Sequence, residues 1–155
     1  MEEVKNILIG KFEEIQRRIL LVLEQLDDDQ VNWRPNESSN SIANLIFHIG
    51  SNVKDRIGKG MNQKAFERNR DEEFEKNYWS KHELVTIVND SFSETIETLK
   101  TMNQERLSES QTVRGRERSH LDMFIQCATH FSEHMGQIFY IGKIIKDEDY
   151  KTTSL

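Results

Sequence analysis

Cysteine, proline and glycine are scarce in this chain of 155 residues, which contains one Cys, one Pro and seven Gly. The single cysteine, Cys127, excludes an internal disulfide framework and is typical of a reducing cytoplasm. The few Pro and Gly, and the lack of alternating Val, Ile and Thr runs, argue against a sheet. A chain of this length can bury a core without a structural metal, so we expect any bound metal to be functional.

A basic stripe and a long apolar run are also missing. The net charge is −6, and the 21 Lys and Arg residues are scattered along the chain, so we predict no nucleic-acid partner. The longest uncharged stretch, residues 38–53, contains serines, asparagines and a histidine and is too short and polar to span a bilayer. The N-terminal segment lacks an apolar region followed by a cleavage site, which predicts a cytoplasmic protein.

Apolar residues recur at three- and four-residue steps in four segments, which is the period of amphipathic helices. We predict helices over residues 2–26, 42–57, 81–102 and 120–146. Ser39, Asn40 or Ser41 can cap the second helix and Ser80 the third, whereas Gly58 and Gly60 are expected to end the second. Residues 61–80 are predicted to be a solvated connector with one helical turn near residues 72–78. The expected fold is all-α, a single-domain four-helix bundle over residues 1–155 with long connectors.

Two of the five histidines, His130 and His134, lie one turn apart on the apolar face of the fourth predicted helix. Each unpaired polar group on a buried face costs about 1–3 kcal/mol, so these imidazoles need partners. A metal ion supplies both, and metalloproteases use the same i, i+4 spacing. The alternative is an ordinary polar helix face. The letters also match the protease pattern H-x-x-E-H, but too few residues follow for its further glutamate ligand, and we expect Glu133 to be solvated.

A third histidine, His48, lies on or beside the apolar stripe of the second predicted helix. Three imidazoles leave a coordination position open, as in catalytic metal sites. We expect His82 and His120, near helix starts, to be solvated or to act as caps. Cys127 is expected to be a small core residue, with metal ligation or nucleophilic catalysis as the alternative.

Three further residues are candidates for contacts with a ligand. Asn44 lies one turn before His48, and Gln137 lies two turns after His130, so both can hydrogen-bond a ligand or the water around a metal; ordinary polar lining of a helix interface is the alternative. Arg114, with Arg116 and Arg118, can hold carboxylates of a thiol cofactor, although arginines in such segments are more often solvated.

Three blocks of sequence resemble the DinB/YfiT-like metalloproteins. The first is Asn32-Trp33-Arg34-Pro35 followed by Ser39-Asn40-Ser41-Ile42-Ala43 and Phe47-His48-Ile49, and the second is Val113-Arg114-Gly115. The third and most specific is His130-x-x-x-His134-x-Gly136-Gln137-Ile138, which continues through Tyr140-Ile141-Gly142-Lys143. The resemblance implies an up-down-down-up bundle in which His48, His130 and His134 bind a divalent metal ion, usually nickel or zinc, frequently within a homodimer.

The same resemblance implies a function. Its members include S-transferases and isomerases that use low-molecular-weight thiols, as well as hydrolases, and a metal held by imidazoles can activate a thiol or a water. We therefore expect a metal-dependent enzyme that acts on a small molecule, with a divalent ion and a thiol co-substrate. The alternative is a non-enzymatic metal-binding or interaction protein, because a fold does not fix a function. Apolar residues around Ile138, Phe139 and Ile144 give weak support for a homodimer.

Overall fold

The computed structural model describes residues 1–154, most of which are helical. The α-helices are Glu2–Glu24 (α1), Asp28–Asn32 (α2), Ile42–Val53 (α3), Gly60–Asn62 (α4), Lys81–Thr101 (α5), Gln104–Ser108 (α6) and His120–Lys146 (α7). A π-helical segment covers Lys54–Lys59, and 3₁₀ turns cover Glu72–Phe74 and Asp147–Asp149. Two strands, Ser110–Val113 (β1) and Arg116–Ser119 (β2), form a hairpin.

The long helices begin where side chains can satisfy their free N–H groups. Ser41 accepts from the backbone of Asn44, and Ser80 accepts from that of Glu83, each within a reciprocal capping box. Ser119 caps α7 in the same way without the box. These caps confirm the predicted starts of the second and third helices, and each stabilises its helix by about 1 kcal/mol.

The second predicted helix does not end at its glycines. The chain continues from α3 through the π-helical segment and α4, and it turns away only at Gln63, whose φ is 56°. Glycine within a helix costs about 1 kcal/mol, but the burial of Ile57 and Met61 outweighs that cost. A Cβ at Gly60 would lie 1.7 Å from Oε1 of Gln111 in β1, so a larger residue there would require the Gln111 side chain to move.

The mostly helical structure is consistent with the all-α prediction, and a small two-stranded sheet is an addition that the sequence did not predict. Strands β1 and β2 pair antiparallel from Ser110 opposite Ser119 to Val113 opposite Arg116. The two residues of the turn, Arg114 and Gly115, have φ values of 49° and 73°, the positive values that two-residue hairpins require. Both strands are short and polar, so they lack the alternating apolar pattern by which strands are recognised from sequence.

Helix α1 packs against α5 and α7, and α3 packs against the same two helices. One hydrophobic cluster draws on all four, with the rings of Phe12, Phe92 and Phe131 at its centre. Among residues 1–154, no helix is both long enough and apolar enough to cross a membrane. Because α3 and α7 are in contact, residues on their facing sides can form a common site.

Candidate metal centre

The structure brings His48 of α3 together with His130 and His134 of α7. The Nε2 atom of His130 lies 3.2 Å from that of His48 and 2.8 Å from that of His134. One ligand nitrogen from each of the three rings lies within 4.8 Å of the other two. His48 is buried and the other two are partly buried. The i, i+4 spacing of the α7 pair therefore produces the convergence that we expected, whereas the role of these residues as metal ligands stays a prediction.

The outward-facing nitrogens of two rings have acceptors of their own. Nδ1 of His48 lies 2.6 Å from Oε2 of Glu73, and Nδ1 of His134 lies 2.7 Å from Oε1 of Gln137. A carboxylate can only accept, so the Nδ1 of His48 carries the hydrogen and its Nε2 presents a lone pair. The same tautomer follows for His134 from the amide oxygen of Gln137. Such acceptors behind imidazole ligands are typical of metal sites.

This donor set fits a metal ion better than it fits an arrangement without one. Two lone pairs, from His48 and His134, face Nε2 of His130, which can carry only one hydrogen. At least one of the two short nitrogen contacts therefore has no hydrogen between its two nitrogens, and both of these atoms are partially negative. A divalent cation would accept all three lone pairs at once and remove this repulsion.

Glu73 is fully buried and is a charged partner of His48 that sequence reasoning missed. Its Oε1 accepts from Nε of Arg68 at 2.6 Å, and its Oε2 accepts from Nη2 of Arg68 at 3.0 Å. Burial alone would raise the pKa of Glu73, but the hydrogen bonds from Arg68 and His48 outweigh burial and hold the pKa below its ordinary value. Residues 61–80 were predicted to be solvated surface, and this prediction is wrong at Glu73.

Asn44 and Arg34 anchor the segment that carries Glu73. Nδ2 of Asn44 donates to the carbonyl oxygens of Glu73 and Glu75 at 3.1 and 2.9 Å. The guanidinium of Arg34 donates to the carbonyl oxygens of Phe74 and Glu75 at 2.7 and 3.1 Å. The side chain of Asn44 thus holds the segment behind His48, and the geometry supports a positioning role for it.

Burial sets the charge state of the histidines. It lowers the pKa of His130 to about 4, with further contributions from the neighbouring His134 and His48. Burial also lowers the pKa of His48, although the hydrogen bond to Glu73 opposes that change. Both rings are therefore neutral near pH 7, which is the form that binds metal ions.

A cavity of about 620 Å³ opens beside the cluster, lined by His48 and His130 among others. Arg114 lies on its wall, in the turn of the hairpin. Cys127 also lines the cavity, but burial raises the pKa of its thiol to about 12, and within residues 1–154 it is not among the residues whose ligand atoms converge. Its position fits the expected role as a small core residue.

The remaining histidines lie outside this cluster. His82 is exposed on α5, in line with the solvated role expected for it. His120 is buried, and its Nδ1 lies 2.8 Å from the carbonyl oxygen of Arg106 in α6. Of the two expected roles, solvated or capping, the first is therefore wrong, whereas the contact with a carbonyl near the end of α6 fits the second. Glu133 is exposed at the mouth of the cavity.

We expect the metal-free protein to lose stability as the pH falls from about 6.5 towards 4. In the folded state the pKa of His130 is about 4, whereas an unfolded histidine protonates near pH 6.5. The unfolded chain therefore binds more protons within this window, and the free energy of unfolding decreases as the pH falls. Allowing for the partial exposure of the ring, the loss is about 2 kcal/mol. Urea unfolding of chelator-treated wild type and of His130→Gln measures the free energy of unfolding at each pH. An equal loss of this free energy in both proteins would show that His130 is not its source.

Solved structures share this fold. The conserved protein of a locus from Enterococcus faecalis superposes with a TM-score of 0.77 at 14% identity, over 90% of this chain and 95% of that chain. A DinB-like protein, YjoA, from Bacillus subtilis superposes with a TM-score of 0.71 at 16% identity, over 94% of this chain and 95% of that chain. A DinB-like protein from Bacillus cereus superposes with a TM-score of 0.68 at 15% identity, over 94% of this chain and 92% of that chain. These values confirm the DinB-like fold.

The sequence itself assigns the family. No curated protein matches the chain significantly. Residues 2–155, however, match the family described as a protein of unknown function, DUF1572. The chain therefore belongs to the DUF1572 family and has the DinB-like fold.

Proposed function

We propose that this protein is a metal-dependent enzyme that acts on small molecules, with a divalent ion, zinc or nickel, held by His48, His130 and His134. The observation that carries the proposal is the convergence of three imidazole nitrogens, one from each histidine. Glu73 orients the ring of His48, and Gln137 orients the ring of His134. A divalent cation bound there would supply Lewis acidity that lowers the pKa of a water or of a thiol.

An enzyme is favoured over a purely structural metal site by what surrounds the cluster. Structural zinc sites are normally closed by four protein ligands, whereas the cluster found within residues 1–154 contains three. The cavity beside it has a volume of about 620 Å³, within the range of small-molecule sites. The volume and the lining of this cavity support a substrate that lies against His48 and His130.

The proposed reaction is the transfer of a low-molecular-weight thiol or a hydrolysis. The thiol of Cys127 is a poor nucleophile, because a pKa of about 12 leaves it protonated near neutral pH. A thiol nucleophile would therefore have to come from a co-substrate. The neutral tautomer of His48 is maintained by the carboxylate of Glu73.

Elemental analysis of protein purified without a nickel column tests the proposal. We expect about one divalent ion per chain, and turnover of either a thiol with an electrophile or a hydrolysable ester that stops on chelation and returns with metal. A bound ion without any metal-dependent turnover would favour the alternative, a non-enzymatic metal-binding protein. Protein that contains no metal and binds none when zinc or nickel is added would overturn the metal site itself.

The proposal also covers the domain organisation, the bundle architecture and the cellular compartment of the protein. The pairwise contacts of α1 and α3 with α5 and α7, and the single cluster of core residues, support one domain over residues 1–155 built as an up-down-down-up four-helix bundle. The single buried cysteine supports a cytoplasmic protein.

We further expect a homodimer that buries part of α7. Tyr140 and Ile144 lie one turn apart on this helix and are 70% and 47% exposed, an apolar pair that a partner chain would cover. Ile138 is buried in the core and Phe139 packs partly against it, so neither supports the interface. Light scattering at micromolar protein should give twice the mass of one chain.

A pair of variants locates the interface. Tyr140→Ser with Ile144→Ser should yield a monomer, whereas Ile7→Ser, at a residue 64% exposed on α1, should remain dimeric. A wild-type protein that is monomeric at this concentration would contradict the expectation.

A further inference from the structure

Five arginines line the cavity beside the histidine cluster, in a protein whose net charge is −6. They come from the π-helical segment, from the connector before the buried glutamate and from the hairpin, and Glu133 is the acidic residue on the same lining. The arginines are Arg56, Arg70, Arg114, Arg116 and Arg118. Acidic residues outnumber basic ones in the whole chain, so this wall has a local charge opposite to that of the molecule.

Few of these guanidinium groups are neutralised by the protein. Arg56 pairs with Asp55 at 3.2 Å, and Arg118 pairs with Asp122 at 2.9 Å. Within the described chain, 1–154, the ion pairs found include neither Arg70 nor Arg114 nor Arg116. The wall therefore has positive charge available for an anion.

The cations also repel one another. Burial lowers the pKa of Arg56, and the neighbouring charges of Arg68 and Arg114 lower it further, although Asp55 opposes them. Like charges gathered around one cavity are unfavourable unless a ligand of opposite charge shares them.

The hairpin holds its arginines towards the cavity. Arg116 and Arg118 are two residues apart in β2 and so point to the same side of the strand. Arg114 occupies a turn position with φ of 49°, which costs a residue other than Gly, Asn or Asp about 1 kcal/mol. Nε2 of Gln111 in β1 donates to the carbonyl oxygen of Arg56 at 3.2 Å, so the hairpin is fixed against the wall that carries Arg56.

We propose that this cavity binds a small organic anion with at least two negative charges, carried by carboxylate or phosphate groups, through the arginines of the hairpin. Guanidinium groups suit both groups because they donate two parallel hydrogen bonds to two oxygens. The inference deepens the proposed function, since it names the class of substrate or co-substrate placed beside the histidines. The arginine wall does not depend on a metal ion, so the two proposals can be tested separately.

Titration calorimetry at fixed ionic strength, with inorganic phosphate and with succinate as probes, tests the site. The proteins are wild type, the double variant Arg114→Gln with Arg116→Gln, and Arg17→Gln as a control with an exposed arginine on α1. Wild type should bind at least one probe saturably, and the double variant should bind it about tenfold or more weakly, whereas the control should match wild type. Which probe binds more tightly identifies the carboxylate or the phosphate as the preferred group. Circular dichroism checks that each variant is folded.

The same titrations on chelator-treated protein separate this proposal from the metal site. Saturable binding that survives chelation and is weakened in the double variant supports the anion site, even if no metal is retained. Binding that vanishes on chelation and is unchanged in the double variant overturns the anion site and leaves the metal proposal standing. Weak, unsaturable binding of both probes in all three proteins also overturns it. Shifts of the backbone amide signals of residues 110–119 on adding the probe should place the anion at the hairpin.

Discussion

Replacement of His130 by alanine is expected to abolish metal binding while leaving the helical circular dichroism largely unchanged. His130 contributes the central nitrogen of the cluster, 3.2 Å from that of His48 and 2.8 Å from that of His134. Two imidazoles that remain on different helices hold a divalent ion far more weakly than three, so the affinity should fall by about 100-fold or more. Metal-dependent turnover should be lost with it, because the metal supplies the proposed chemistry.

The fold is expected to survive this change because the core is large. Fully buried phenylalanines and isoleucines from the long helices pack together without any contribution from the metal, and the variant also loses the repulsion between closely spaced ring nitrogens. Metal titration and chemical unfolding of His130→Ala should be compared with His82→Ala, which removes an exposed histidine. A variant that unfolds outright would make the metal structural, and one that keeps full turnover would show that this metal is not the catalyst.

The sequence predicted the histidine cluster because its members lie on regular helices. The apolar repeat places His130 and His134 on the inner face of α7, which begins at His120 and ends at Lys146 as predicted. A recognisable cap at Ser41 fixes the start of α3 and so the direction in which His48 points. Periodicity and capping are local signals, and they were sufficient to predict α7 and the start of α3, although not where the second helix ends.

The sequence did not predict that Glu73 is buried, because tertiary contacts decide which residues of the connector are buried. Glu72, Glu73 and Glu75 are chemically alike and close in the chain, yet only the second is buried. What distinguishes Glu73 is the contact of its carboxylate with Arg68 and His48. No periodic pattern in residues 61–80 indicates these contacts. A buried carboxylate behind a candidate imidazole ligand is nevertheless common in metal sites, and a search of the connector for such a partner would have singled out its glutamates.

Replacement of Glu73 by glutamine is expected to destabilise the protein and weaken metal binding together. The carboxylate accepts three hydrogen bonds, one from His48 and two from Arg68, in a residue with no exposed surface. The amide has one oxygen to accept them, and its NH₂ group would face a donor. Arg68, whose side chain is 12% exposed, would keep a largely buried charge with a weakened partner. Breaking such a pair costs about 3–5 kcal/mol, and we expect a loss towards the lower end because Asp55 lies 3.6 Å from Arg68.

The effect on metal binding follows from the orientation of His48. Arg68 competes for the single amide oxygen, so Nδ1 of His48 has a weaker acceptor or none and its ring can turn or change tautomer. Loss of such a partner lowers metal affinity by about 10- to 100-fold. Glu75→Gln is the matched control, because it makes the same chemical change at an exposed side chain and should alter stability by less than about 0.5 kcal/mol. Urea unfolding of the metal-free proteins measures stability, and competition with a chelator measures affinity. Wild-type affinity in Glu73→Gln would show that the carboxylate does not orient His48 for metal binding, even if the variant is less stable.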